Sequence, residues 1–188
     1  MTTLPRPGAA GACDLLVGPG ATPAEEAGAW ASASIGAVVG GLLPRTARER
    51  VLGAVFGFDA GGGLWVNESY AGKQWYRRPE APAAEAPVFA AFHVHPFVVE
   101  AVGGRRAWWH AIAAWALPVV GSAIVAAAPA PVRRPTALVA ASIAAVIGAR
   151  LAPSGWRWLP PLLAFKLVVG HATDDGPLAR ALGDHEAA

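Results

Sequence analysis

Asp59 is the residue most able to do chemistry, because the run VLGAVFGFDAGGGLWVN around it holds no other charge for eight residues on either side. A carboxylate in such surroundings needs a counter-charge or keeps its proton. Lys166, inside LLAFKLVVG, is the natural counterpart. Two readings follow: a buried Asp59–Lys166 clip, or a protonatable Asp59 that serves as general acid or proton relay while Lys166 snorkels to the nearer interface.

The string AAFHVHPFVVEA adds His93, His95 and Glu100. Residues two apart on a regular helix point about 200° away from one another, so His93 and His95 share a metal only where the backbone is extended. Pro96 provides for that, since a residue before proline is driven from the helical region. The alternative is a pair of histidines that hydrogen-bond neighbouring helices. The segment WVNESYAGKQWYRRPEAP is denser still, with Glu68, Lys73, Tyr76, Arg77 and Arg78 close together. Cations beside aromatics suit an anionic headgroup or an amphiphilic substrate, although a generic basic interfacial loop has the same composition. Asp59, Glu68 and Glu100 are thus the catalytic candidates, Lys73, Tyr76, Arg77 and Arg78 the substrate-binding candidates, and His93 and His95 the candidate metal ligands. His171, three and four residues before Asp174 and Asp175, has metal-site spacing, or marks a helix leaving an apolar layer ahead of Gly176-Pro177. GxSxG, HExxH, CxxCH, DDxxD and phosphate-loop patterns are all absent, so the sequence indicates no particular cofactor.

The elements that must carry these residues are apolar. Hydrophobic residues make up 54% of the 188 and charged residues 15%, at a mean hydropathy of +0.39. A soluble domain spends about a quarter of its residues on charge. Six apolar stretches can be drawn: Ala27 to Leu43, Val51 to Val66, Pro87 to Val102, Ala107 to Ala128, Thr136 to Ala152 and Trp156 to Gly170. Crossing a bilayer takes roughly 20 helical residues, so Ala107 to Ala128 fits best and Pro87 to Val102 least, as a span or a re-entrant segment. The expected fold is an all-α, multi-pass transmembrane helical bundle of five or six passes. Trp65, Tyr70, Trp75, Tyr76, Trp108, Trp109, Trp156 and Trp158 flank the stretches as interface belts do. Basic residues are spread evenly over the gaps, so orientation stays open.

Gly53, Gly57 and Gly61 recur every four residues, and Gly36 and Gly40 repeat the spacing. Such ridges let two helices approach closely, so the first two stretches should pack on one another. Residues 1–26, rich in Gly, Pro and Ala, read as a disordered N-terminal tail, 27–172 as the bundle, and 173–188 as a short C-terminal tail. Cys13 stands alone, so no intrachain disulfide forms. A net charge of +2 comes from scattered arginine pairs, which suits lipid headgroups and gives nucleic acid no extended basic tract. The Ala- and Arg-rich usage is what a GC-rich bacterial genome encodes.

Two functional classes fit. One is a cell-membrane enzyme of cyclase or isomerase type, using acid–base or metal-dependent chemistry on a lipophilic substrate. The other is a permease, or an accessory subunit that meets a partner subunit through its glycine ridges.

Overall fold

The computed structural model describes residues 7–44, 46–76, 82 and 84–172, and every regular element among them is helical. Nine α-helices follow in order: α1 (Ala9–Val17), α2 (Pro23–Leu42), α3 (Ala47–Glu68), α4 (Tyr70–Tyr76), α5 (Glu85–Ala91), α6 (His95–Val102), α7 (Trp108–Ala127), α8 (Ala130–Leu151) and α9 (Leu159–Ala164). A π-helical turn, Phe165–Val169, and a 3-10 turn, Gly170–Ala172, prolong α9.

Both α2 and α3 begin with a capping box, in which Thr22 and Glu25, then Thr46 and Glu49, satisfy each other's backbone N–H groups. The two helices form an antiparallel hairpin, and the glycine ridges close it. A Cβ placed on Gly36 would lie 2.0 Å from the Gly57 carbonyl oxygen, and one on Gly57 would lie 2.0 Å from the Gly36 oxygen. One turn away, Gly40 and Gly53 repeat the arrangement at 2.1 and 2.2 Å, and the Ser32 hydroxyl donates to the Gly61 carbonyl at 2.7 Å. Backbone therefore meets backbone, as the spacing anticipates. The ridges are consumed inside the chain, which removes the feature that argued for a subunit docking through them.

A second hairpin, α7 and α8, carries Pro118 and Pro135 inside its helices. The α9 segment lies between the two hairpins and is deeply enclosed, with Leu159, Leu163, Ala164, Leu167 and Val168 at 3% exposure or less. It packs with Phe56, Ala90, Val99 and Trp156 on one side and with Val125, Ala137, Ala141, Ala144 and Ala145 on the other.

Small residues fill much of this interior, while Val38, Val39, Leu42, Val51, Val55, Val139, Ile143 and Val146 face outward. An exposed aliphatic surface of this kind is one that meets a membrane or another protein. Helices α2, α3, α7 and α8 have 20, 22, 20 and 22 residues, about 30 Å or more at 1.5 Å per residue. Of these, α7 and α8 are also apolar enough to cross a membrane, with mean hydropathies of 1.7 and 1.3.

Two expectations are revised. The stretch Pro87 to Val102 is broken at Phe92–Val94 into helices of 7 and 8 residues, each near 10 Å long and too short to cross. Residues 1–26 are not a featureless tail: α1 forms within them, and Asp14, Val17 and Glu25 are buried. Glu25 explains much of this order. Its Oε1 accepts from the Ala71 N–H at 3.0 Å and its carbonyl accepts from the Trp65 indole at 3.1 Å, tying the start of α2 to α3 and α4. The C-terminal tail, 173–188, lies outside the described residues together with Asp174 and Asp175.

Candidate functional site

Asp59 and Lys166, 107 residues apart in sequence, meet at the centre of the bundle. The Lys166 ammonium donates to Asp59 Oδ2 at 2.7 Å and reaches the Asp59 carbonyl oxygen at 3.3 Å. Lys166 arrives from the π turn, a widened turn common at functional sites because it re-aims one side chain while its neighbours stay packed. Leu167 and Val168 remain in the core while Lys166 faces α3. Gly63 makes the room: a Cβ there would stand 2.3 Å from Lys166 Cε.

The break before Pro96 brings both imidazoles to the same carboxylate. Their rings stack at 5.4 Å between centroids, and the Nε2 atoms of His93 and His95 stand 3.7 and 3.6 Å from Asp59 Oδ2. His93 Nδ1 lies 2.9 Å from the Phe89 carbonyl, which can only accept, so Nδ1 carries the hydrogen and Nε2 turns its lone pair toward Asp59 in the neutral ring. His95 packs edge-on against Phe56 at 4.4 Å. The arrangement is a carboxylate oxygen with one ammonium and two imidazole nitrogens around it. The Lys166 ammonium occupies Asp59 Oδ2, and no group of three or more ligand side chains among the described residues is set to hold a metal.

Asp59 and Lys166 form part of the wall of a cavity of about 410 Å³. Its other walls are mainly apolar and aromatic, with Leu15 and Leu16 of α1, Trp30 of α2, Phe58 and Val66 of α3, Trp75 of α4 and Phe89 of α5, and the polar side chains of Asn67 and Glu85 complete them. Gly62, Gly63 and Gly72 hollow it by withholding side chains. The Asp59 side chain is 43% exposed, whereas Lys166 is 3% exposed. The carboxylate is thus open to whatever fills the cavity, with its counter-ion behind it.

The other candidates lie elsewhere. Glu100 is buried, and both its oxygens are engaged: Oε1 pairs with Arg105 Nη2, while Oε2 accepts from Arg105 Nε at 3.2 Å and from the Ala107 N–H at 3.0 Å. Arg105 also donates to the Leu151 carbonyl at 2.7 Å, closing the end of α8. Glu100 is therefore a clip for the α6–α7 turn, away from the cavity. Arg105→Ala should leave that 2%-exposed carboxylate without its partner and cost about 3–5 kcal/mol. The checking measurement is the thermal midpoint in detergent, and an unchanged midpoint would deny the clip.

Glu68 also lies away from Asp59, with Lys73 Nζ and Arg134 Nη2 each 3.5 Å from its carboxylate oxygens. Lys73 is fully buried and donates to the Gly170 carbonyl at 2.9 Å, so it ties α4 to the end of the α9 segment and does not reach the cavity. The basic stretch around it is a folded corner, because Ser69 caps α3 and the Gly72 backbone presses on the Val66 carbonyl. Arg77, Arg78 and the side chain of Tyr76 lie outside the described residues. Sequence reasoning missed Trp30 and Phe89, and it placed Asn67 in the polar segment without its partner, the Lys166 carbonyl, to which the amide donates at 2.8 Å, steadying the π turn. It also missed Gly63 as a socket, although the triplet Gly61-Gly62-Gly63 beside Asp59 signalled space at that point.

No protein-family model matches this chain, and no curated protein or solved structure shows significant similarity to it.

Proposed function

We propose that the chain is a multi-pass membrane protein that binds a lipophilic small molecule in the Asp59 cavity and performs acid–base chemistry on it, as an isomerase or cyclase does. The observation that carries this reading is the exposed Asp59 carboxylate in a cavity walled mainly by aliphatic and aromatic side chains. In this reading α2, α3, α7 and α8 cross the bilayer, and the outward aliphatic residues meet acyl chains. The α5–α6 break and the α9 segment enter without crossing, which is tolerated because surrounding helices enclose them.

A lipophilic molecule that fills the cavity displaces its water, and a carboxyl group there can then give or take a proton at a carbon centre. His93 Nε2 is placed to accept a proton from Asp59 or return it. Lys166 holds the carboxylate ready by opposing its charge. A volume of about 410 Å³ lies within the range of roughly 300–1,000 Å³ that small-molecule sites occupy.

The test uses a dibrominated long-chain alcohol, a contact quencher of tryptophan, titrated into protein in lipid nanodiscs. Saturable quenching is expected, and it should disappear in a Trp30→Phe, Trp75→Phe double variant, because those two indoles line the cavity. Quenching of equal amplitude in the double variant would show that the probe meets only the outer surface, and would sink the cavity as a binding site.

A further inference from the structure

The chain contains fifteen basic residues, of which only Lys73 and Lys166 are lysines. Every described arginine is exposed or half-buried, whereas both lysines are buried. Where only a positive charge at the surface is needed, this sequence uses arginine. A guanidinium never gives up its proton, while an amine next to a proton acceptor can, and it then becomes a nucleophile. Lys73 is held by the Gly170 carbonyl and Glu68 away from the cavity, so its ammonium acts as a tie. Lys166 differs from it in two respects: it lines the cavity, and its nitrogen is 2.7 Å from a carboxylate that the cavity exposes.

From this placement we infer that the lipophilic substrate carries an aldehyde or ketone, and that Lys166 captures it as an imine with Asp59 as proton shuttle and counter-ion. The inference rests on the reading of the cavity as a binding site. The chemistry balances without a further reagent. Lys166 passes one proton to Asp59 Oδ2, and the free amine adds to the carbonyl carbon to give a carbinolamine. Protonated Asp59 then delivers its proton to the carbinolamine hydroxyl, which leaves as water. Carbonyl plus lysyl ammonium gives iminium plus water, and the Asp59 carboxylate is restored beside the new cation. An iminium acidifies the adjacent C–H bonds, and His93 and His95 stand within 4 Å of the same carboxylate to take such a proton onward. The Phe89 ring, 5.9 Å from Nζ, offers its face to the cation in either form.

The test is reductive trapping. Protein in nanodiscs is incubated with para-hexyloxybenzaldehyde and sodium cyanoborohydride, and the adduct is located by intact mass and peptide mapping. Lys166 is expected to be labelled to near one equivalent, at least tenfold faster than Lys73 or the terminal amine. Labelling should be suppressed by the matching para-hexyloxybenzyl alcohol, abolished by Lys166→Arg and slowed at least tenfold by Asp59→Asn. The alcohol is also scored for displacing the brominated quencher. Displacement by the alcohol with Lys166 unlabelled, or labelled no faster than Lys73, overturns the imine and leaves the cavity reading standing. Failure of both probes to displace the quencher, with Lys166 unlabelled, removes the cavity as their site and the imine with it.

Discussion

Gly57→Leu is expected to lower stability by about 3 kcal/mol or more, among the largest effects of any single substitution in the chain. The Cβ alone would meet the Gly36 carbonyl at 2.0 Å, and backbone cannot swing aside as a side-chain tip can. Helices α2 and α3 would have to separate along the whole ridge, losing the Gly40–Gly53 approach and the Ser32–Gly61 hydrogen bond together. Gly41 supplies the control. It neighbours Gly40 in sequence, yet a Cβ there would sit 3.4 Å from Ala54 Cβ, at ordinary contact distance. Gly41→Ala should be neutral or slightly stabilising, since alanine also restricts the unfolded chain. The two variants are compared by thermal or SDS unfolding followed by circular dichroism. Equal midpoints would mean that the glycine ridge does not hold the hairpin.

The second large effect is an asymmetry. Asp59→Asn leaves the 3%-exposed Lys166 ammonium without a counter-ion, and an uncompensated buried charge costs about 3–5 kcal/mol. Lys166→Met removes the charge and keeps much of the volume, leaving a carboxylate that is 43% exposed and can be hydrated from the cavity. That loss should be about 1 kcal/mol, and the double variant should recover much of what Asp59→Asn loses. The same unfolding assay measures it. Equal losses from the two single variants would show that the pair is not organised around a buried ammonium and an open carboxylate.

The Asp59–Lys166 pair was legible in the sequence because an apolar run tolerates few charges, and two runs that each hold one point to each other. The glycine hairpin was legible for a similar reason, since a four-residue spacing of side-chain absences has one mechanical use. The shared orientation of His93 and His95 depended on a helix break that Pro96 permitted without dictating. Other parts depended on where chains turn. Glu100 looks like a lone carboxylate in an apolar stretch until α6 ends at Val102 and the backbone at Gly104, with φ of 68°, returns Arg105 to it. The Lys73 segment looked like a surface loop because its polar letters outweighed the Ser69 cap and the close approach at Gly72. Glu25 sat in plain view as the fourth residue of the capping box Thr22-Pro23-Ala24-Glu25, hidden by the low-complexity residues before it. The cavity itself was not legible, since its walls come from α1 through α5 and the π turn, and no local pattern records their convergence.

The separation of Asp59 and Lys166 also has a consequence for biogenesis. The α2–α3 hairpin is built from neighbouring residues and can close as soon as both helices have left the ribosome, whereas Lys166 is synthesised 107 residues after the carboxylate it neutralises. Between those events Asp59 stands in a nascent hairpin without the ammonium that opposes it in the finished fold. The α9 segment thus brings the counter-ion with it, and the Asp59–Lys166 pair can form only after nearly the whole bundle has been synthesised.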